Sequence, residues 1–312
     1  VPTITATTAP RARWGRRPAR RVGVLAALVG LVVPFVAACS PAPLPGETGG
    51  LQVVASTNVW GSVVNQVGGS LVSVTSFIQD PSADPHSYEA NARNQLAVKK
   101  AVLVVANGGG YDDFVDTMVA SLDQPPALVH AFSIAATGQD NEHVWYDLPA
   151  VRAVADEIAA KLSQIDPGNA ATFAANAKTF DAQVADLEKQ VADIKAKAGG
   201  APIAITEAVP LYLTQAAGLV NLTPPEFSSA IENETDVPPA VLADTLQLFS
   251  THAVNALVYN SQTTGPQTEA VQAAAKAAKI PVVAVTETLP SGIDYVQWMQ
   301  RTITALREAV VR

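Results

Sequence analysis

The chain has 312 residues, a net charge of −8 and 48% hydrophobic residues. That length buries a sizeable core and leads us to expect about two domains. The composition excludes a disordered or fibrous protein.

Residues 1–38 predict an export signal rather than part of the globule. Arg11, Arg13, Arg16, Arg17, Arg20 and Arg21 precede an apolar run at 22–36. That run contains Gly23, Gly30 and Pro34, and it is shorter than the roughly 20 residues of a membrane-spanning helix. It ends in Val36-Ala37-Ala38-Cys39, which resembles the lipobox of bacterial lipoproteins and implies cleavage before Cys39 and a lipid on its thiol. Cys39 is the only cysteine, so an internal disulfide is excluded. The paired arginines leave the general and the twin-arginine export routes both open. Removing 1–38 takes away six of the 20 basic residues and none of the 28 acidic ones, leaving a net charge of −14. A surface that acidic argues against nucleic acid as a partner. Residues 39–50, rich in Pro and Gly, predict a lipidated tether.

From Leu51 onward, short apolar runs predict buried parallel strands at 51–56, 71–78, 102–106 and 127–132, with helices between them, for example at 59–67 and 90–100. These elements make a first lobe over 51–166. A helix is expected at 148–165. Asp166-Pro167 then reads as an N-cap and a helix-starting proline for a long helix over 167–198, ended by Gly199-Gly200. Phe173, Phe180, Val184, Leu187, Val191 and Ile194 recur at helical spacings and predict one buried face. About 32 residues at 1.5 Å each span roughly 48 Å, enough to cross the molecule. A second lobe over 199–312 carries expected strands at 202–206, 219–222, 256–259 and 281–286, with helices at 239–249 and 267–279. The expected fold is α/β, with two lobes, each a mainly parallel four-stranded sheet flanked by helices, joined by one long rigid helix.

Two of the four histidines lie in loops that follow predicted strands: His86 in Asp84-Pro85-His86-Ser87-Tyr88-Glu89, and His143 in Asn141-Glu142-His143-Val144-Trp145-Tyr146-Asp147. Glu207 and Glu287 follow directly on the second-lobe strands at 202–206 and 281–286. Ligands of open parallel sheets bind beyond the carboxyl ends of the strands, so all four residues stand where a site is expected. Two neutral imidazoles and two carboxylates carry a charge of −2, which balances a divalent cation in a partly buried cleft. Such a set suits manganese, iron or zinc rather than calcium. Asp84, Glu89 and Asp147 are nearby candidates to hold the other ring nitrogens of the histidines. His130, within the strand at 127–132, and His252, in a helix or loop, read as structural. Gly108-Gly109-Gly110 lacks the Lys-Ser/Thr of a phosphate loop and reads as a turn.

In this order the segments resemble the zinc/manganese solute-binding proteins (cluster A-I) that feed bacterial metal importers. The resemblance runs over roughly 51–312. The loop at 84–89 resembles the first ligand loop, and Ala106-Asn107-Gly108-Gly109-Gly110-Tyr111 the family's Asn-Gly turn. The loop at 141–147 resembles a second ligand motif, with Asn141-Glu142 in place of its usual Asp-Pro. Asp166-Pro167, Phe173 and Asn176 resemble the start of the connecting helix. Ile205-Thr206-Glu207-Ala208 and Val285-Thr286-Glu287-Thr288 fall at the third and fourth ligands.

The resemblance implies one metal site in a cleft between two lobes, with His86, His143, Glu207 and Glu287 as ligands. It also implies delivery to an ABC permease driven by a cytoplasmic ATPase. Glu at the third position points to Mn2+ ahead of Zn2+, with Fe2+ third; Glu287 departs from the Asp usual in manganese binders. The acidic segment at 232–235 either lines the cleft or is a solvated loop. The expected protein is a monomer, extracytoplasmic, anchored through Cys39, and not an enzyme. An exported zinc metallohydrolase would need a general base and an open coordination position, and no His-Glu-x-x-His helix is present. A surface adhesion lipoprotein with a structural metal is the other alternative.

Overall fold

The computed structural model describes residues 49–80 and 85–311. The expected export signal, Cys39, most of the tether and Asp84 lie outside the described residues. Two four-stranded sheets are present, both wholly parallel. The first has the order β2-β1-β3-β4, from β1 (Leu51–Thr57), β2 (Val72–Ile78), β3 (Leu103–Ala106) and β4 (Ala127–His130). The second repeats that order as β6-β5-β7-β8, from β5 (Pro202–Ile205), β6 (Val220–Asn221), β7 (Ala256–Asn260) and β8 (Val282–Val285). The first-lobe helices are α1 (Asn58–Gly68), α2 (Ala92–Lys100), α3 (Phe114–Ala120), α4 (Ala131–Ala135) and α5 (Leu148–Ile165). The connector is α6 (Ala170–Ala198), followed by α7 (Leu211–Ala216), α8 (Pro225–Glu232), α9 (Pro239–Ser250), α10 (Pro266–Ala277) and α11 (Tyr295–Val310). No helix among the described residues is long and apolar enough to cross a membrane.

Helices cover the sheets, so central strands are buried on both faces and read as continuous apolar runs. β3 and β7 are buried at every position. Three expectations need correction. The strand expected to reach residue 132 stops at His130, and the chain turns into α4. The strand expected at 219–222 shortens to Val220–Asn221 at the sheet edge, where Asn221 Oδ1 accepts the Thr223 N–H at 3.0 Å and starts a turn. Asp166 does not cap the long helix. A 3-10 turn at Pro167–Asn169 comes first, and Asn169 Nδ2 donates to Asp166 Oδ2 at 2.6 Å.

The 29 residues of α6 extend about 44 Å at 1.5 Å per residue. Phe173, Phe180, Val184, Leu187, Val191 and Ile194 are all buried, joined by Ala177. This face packs on α1 and α5 of the first lobe and on α7 and α11 of the second. One hydrophobic cluster therefore runs from Val53 and Trp60 through Phe180 to Val283 and Trp298. Arg152 of α5 reinforces the seam, pairing with Asp181 and lying 3.1 Å from Glu188 Oε2 on α6.

Polar bonds also tie the lobes together. Asn58 exchanges two hydrogen bonds with the Leu289 backbone, its Nδ2 donating at 3.0 Å and its Oδ1 accepting at 2.9 Å. The N–H of Tyr295 donates to Ser62 Oγ at 3.0 Å. The Tyr295 hydroxyl donates to Trp145 O at 2.7 Å, and the Tyr146 hydroxyl to Thr286 O at 2.8 Å. Phe180 sits at the centre of the shared core, 1% exposed. Phe180→Ala is expected to cost about 3–5 kcal/mol of stability, measured as a lower urea midpoint with one unfolding transition for the whole molecule; two separated transitions would show that the lobes do not share a core.

Candidate metal centre

The donor residues sit on short segments beyond strand ends, each fixed by local bonding. His86 lies in a 3-10 turn, Pro85–Ser87, in the connection after β2. His143 precedes the 3-10 turn Val144–Tyr146. Glu207 follows β5 and Glu287 follows β8, as predicted. A further carboxylate, Glu232, is the last residue of α8.

His86 Nε2 stands 3.4 Å from Glu287 Oε2 and 3.7 Å from Glu232 Oε1. His143 Nε2 stands 3.6 Å and 3.5 Å from the same two atoms. Among the described residues, donor atoms form two groups that could hold a metal ion, each within 4.8 Å: His86, His143 and Glu287; and Glu142, His143 and Glu232. Glu207 belongs to neither group. Its side chain is nonetheless buried, and its Oε2 has no hydrogen-bond partner.

His143 and Glu287 are held by hydrogen bonds whose partners the sequence did not identify as such. Asn141 Oδ1 accepts from the His143 backbone N–H at 3.1 Å and lies 2.7 Å from its Nδ1. Asn141 Nδ2 donates to Ala208 O at 3.1 Å, so the amide oxygen faces the ring. An amide oxygen only accepts, so Nδ1 carries the proton and the lone pair of Nε2 is left for a metal. Nε2 is buried without a hydrogen-bond partner. Asn141 thus holds the ring, a role for which the sequence offered Asp84, Glu89 and Asp147 without choosing among them. A signal did exist, since an Asn two residues before the His is the spacing of an Asx turn.

Glu287 is fully buried. Its Oε1 accepts from Asn260 Nδ2 at 2.8 Å, and its Oε2 accepts the Tyr111 hydroxyl at 3.0 Å from the first lobe. Tyr111 also packs edge-on against His86 and Trp145, with ring centroids 5.2 and 4.9 Å away, and Trp145 packs edge-on against His143. The Asn-Gly turn supports this group. Asn107 takes the Trp60 indole N–H on its Oδ1 at 3.1 Å, and its Nδ2 donates to Glu142 O at 2.9 Å, tying the core to the His143 loop. A Cβ at Gly109, φ +71°, would stand 2.7 Å from the Phe132 ring.

The electrostatics follow from charge crowded into little water. Burial, joined by the charges of Glu287 and Glu232, lifts the Glu207 carboxyl to about 8 against the opposing effect of hydrogen bonds from Asn260 and Thr263. Burial also raises Glu232. Burial would raise Glu287 as well, but attraction to His143 and His86 outweighs it and holds the carboxylate well below its usual range. For His143, burial opposes protonation, yet Glu287, Glu232 and Glu142 together raise its pKa. Acidic groups in a dry pocket that draw protons to themselves are a set short of positive charge. The other two histidines stand outside it. His130 Nε2 lies 2.8 Å from Asp116, and His252 occupies the turn after α9 with φ 54°.

Two parallel-sheeted lobes sharing a rigid connecting helix, with donor residues converging from both, define a bilobal binding protein. The family model described as zinc-uptake complex component A, periplasmic (ZnuA), matches residues 53–309, and the chain belongs to that family. The manganese-binding lipoprotein MntA of Bacillus subtilis (strain 168) is 29% identical over 133 residues, 39% of this chain and 43% of MntA. The chain spans about half the length of the curated relatives it matches. Among solved structures, the periplasmic zinc-binding protein TroA from Treponema pallidum has a TM-score of 0.69 at 17% identity, covering 85% of this chain and 100% of TroA. The binding protein FpvC from Pseudomonas aeruginosa, in complex with Mn2+, has a TM-score of 0.67 at 22% identity, covering 84% and 98%. The fold is thus that of TroA and ZnuA, and the family consists of solute-binding proteins, not enzymes.

Asn141→Ala frees the His143 ring without removing a ligand. Calorimetric titration with Mn2+ is expected to show affinity about 10- to 100-fold lower; unchanged affinity would show that the bond does not orient the ring.

Proposed function

We propose that this chain captures one divalent transition metal outside the cytoplasm, Mn2+ ahead of Zn2+, and delivers it to an ABC importer. The observation that carries this reading is the convergence of His86, His143 and the Glu287 carboxylate from both lobes, each within 4.8 Å of the others. We assign His86, His143, Glu207 and Glu287 as the ligands, with Glu232 beside them. Glu232 Oε1 stands 3.7 and 3.5 Å from the two imidazoles and is buried without a hydrogen-bond partner, but its side chain as a whole is 19% exposed. Glu207 and Glu287 are 1% and 0% exposed. A divalent ion neutralises those two carboxylates where water does not, which is where compensation counts most. Carboxylate-rich sites suit Mn2+, although the stability order gives Zn2+ the greater intrinsic affinity at any such site, so selection depends on geometry and supply. MntA is named for manganese and FpvC was crystallised with it, which supports the assignment.

In this reading the lipid on Cys39 keeps the protein at the membrane, and a permease with its cytoplasmic ATPase takes the ion. Cys39→Ser is expected to move the protein from the membrane fraction to the soluble fraction; retention in the membrane fraction would remove the lipid anchor from this account.

The ligand set is tested by titrating metal-stripped protein. Glu207→Gln is expected to lower Mn2+ affinity by at least about 100-fold, as is His143→Ala, and Glu232→Gln by less than about tenfold. The reverse order would make Glu232 the fourth ligand; no metal binding by the wild-type protein would end the proposal. Competition between Mn2+ and Zn2+ on stripped protein, together with metal analysis of protein isolated from its own organism, tests the choice of metal.

The pH dependence has a definite sign. With its pKa near 8, Glu207 is mostly protonated at neutral pH, and a metal must displace that proton. Affinity is therefore expected to fall as pH drops from about 7.5 to about 5, with proton release on binding at pH 7. Buffer-dependent calorimetric enthalpies measure that release; pH-independent affinity would contradict the assigned ligands.

A further inference from the structure

The second donor group, Glu142, His143 and Glu232, shares only His143 with the ligands assigned above. Glu142 and Glu232 also line a cavity of about 640 Å³ beside α8, whose wall includes Asp140, Asn221 and Asn233. His143 is completely buried and belongs to both groups, and its Nε2 has no hydrogen-bond partner. Glu232 Oε1 lies between the groups, 3.5 Å from His143 Nε2 and 3.7 Å from His86 Nε2. The backbone of Glu142 is fixed from two sides, its carbonyl accepting from Asn107 Nδ2 and from the Val144 N–H.

We propose that Glu142, His143 and Glu232 form an outer cation position on the cavity wall, which the divalent ion occupies on its way into and out of the inner site. This rests on the reading of the inner site as a metal site. Both positions use the one Nε2 of His143, so they are occupied in turn and one ion binds per chain. Moving inward, the ion exchanges Glu142 and Glu232 for His86, Glu207 and Glu287 while His143 stays attached. It is never stripped of all its donors at once, a step that would carry a large desolvation cost.

A ligand on the path but absent from the final site has a distinct kinetic signature. It lowers the barrier in both directions, so its loss slows association and dissociation by one factor and leaves Kd unchanged. General attraction by an acidic cavity speeds association alone, so losing that attraction raises Kd. Stopped-flow tryptophan fluorescence can separate the two, because Trp145 packs edge-on against His143 with ring centroids 5.2 Å apart.

In Glu142→Gln, the Mn2+ association and dissociation rates are both expected to fall by about tenfold, with Kd within about twofold of wild type. Dissociation is read into excess chelator, where the rate no longer depends on chelator concentration. Asp140→Asn removes one charge from the same cavity but lies outside the donor group. It is expected to leave the dissociation rate unchanged. Three results overturn the outer position: a raised Kd with dissociation unchanged in Glu142→Gln, no change in either rate, or the same slowing in Asp140→Asn. In each case wild-type binding and its loss in His143→Ala leave the inner site standing. A wild-type protein that binds no Mn2+ overturns the inner site instead.

Discussion

Negative charge held in a dry space is the constraint on which this structure depends. Glu207, Glu232 and Glu287 stand with two imidazoles at the meeting of two lobes, and full ionisation there costs several kcal/mol per uncompensated group. The protein meets this cost unevenly. Glu287 is kept ionised by two histidines, Tyr111 and Asn260. Glu207 is pushed toward its neutral form, with one oxygen left unpartnered. A divalent cation removes the conflict, since it supplies the charge that protons supply in its absence.

Holding those groups in place requires supports that do not yield. Both sheets have one topology, so their strand ends face the same junction and each contributes donors to it. The face of α6 from Phe173 to Ile194 is common to both lobes, and the core is continuous through it. Opening the lobes as two hinged bodies would tear that core, whereas His86, His143, Glu207 and Glu287 lie on connections that move more cheaply. Tyr111 and Tyr146 add direct bonds from the first lobe to Glu287 and Thr286 of the second. Ion exchange through rearrangement of carboxylates such as Glu232 is consistent with that rigidity.

The polar supports are specific to their positions. Asn107 takes one hydrogen bond from Trp60 and gives another to the Glu142 carbonyl, so the first-lobe core determines where the His143 loop begins. Asn141 determines which nitrogen of His143 keeps its lone pair free. These amides carry no charge and bind no metal in this account, yet the donor geometry is theirs.

The sequence by itself determined the elements and the two histidines. Continuous apolar runs marked all eight strands within a residue or two, because strands buried on both faces carry no polar alternation. The edge strand β6 and the end of β4 were overextended, since apolar composition continues where pairing stops. The buried face of α6 was legible from Phe173 to Ile194 because helical spacing repeats over many turns. Strand-end positions marked Glu207 and Glu287. Only the tertiary structure decided that Glu232, 89 positions away, converges on His143 beside Glu142, that Tyr111 reaches across to Glu287, and that Asn141 holds the ring in place of the acidic candidates. Those contacts join residues dozens or hundreds of positions apart, or depend on the direction of one side chain, and no local pattern encodes either.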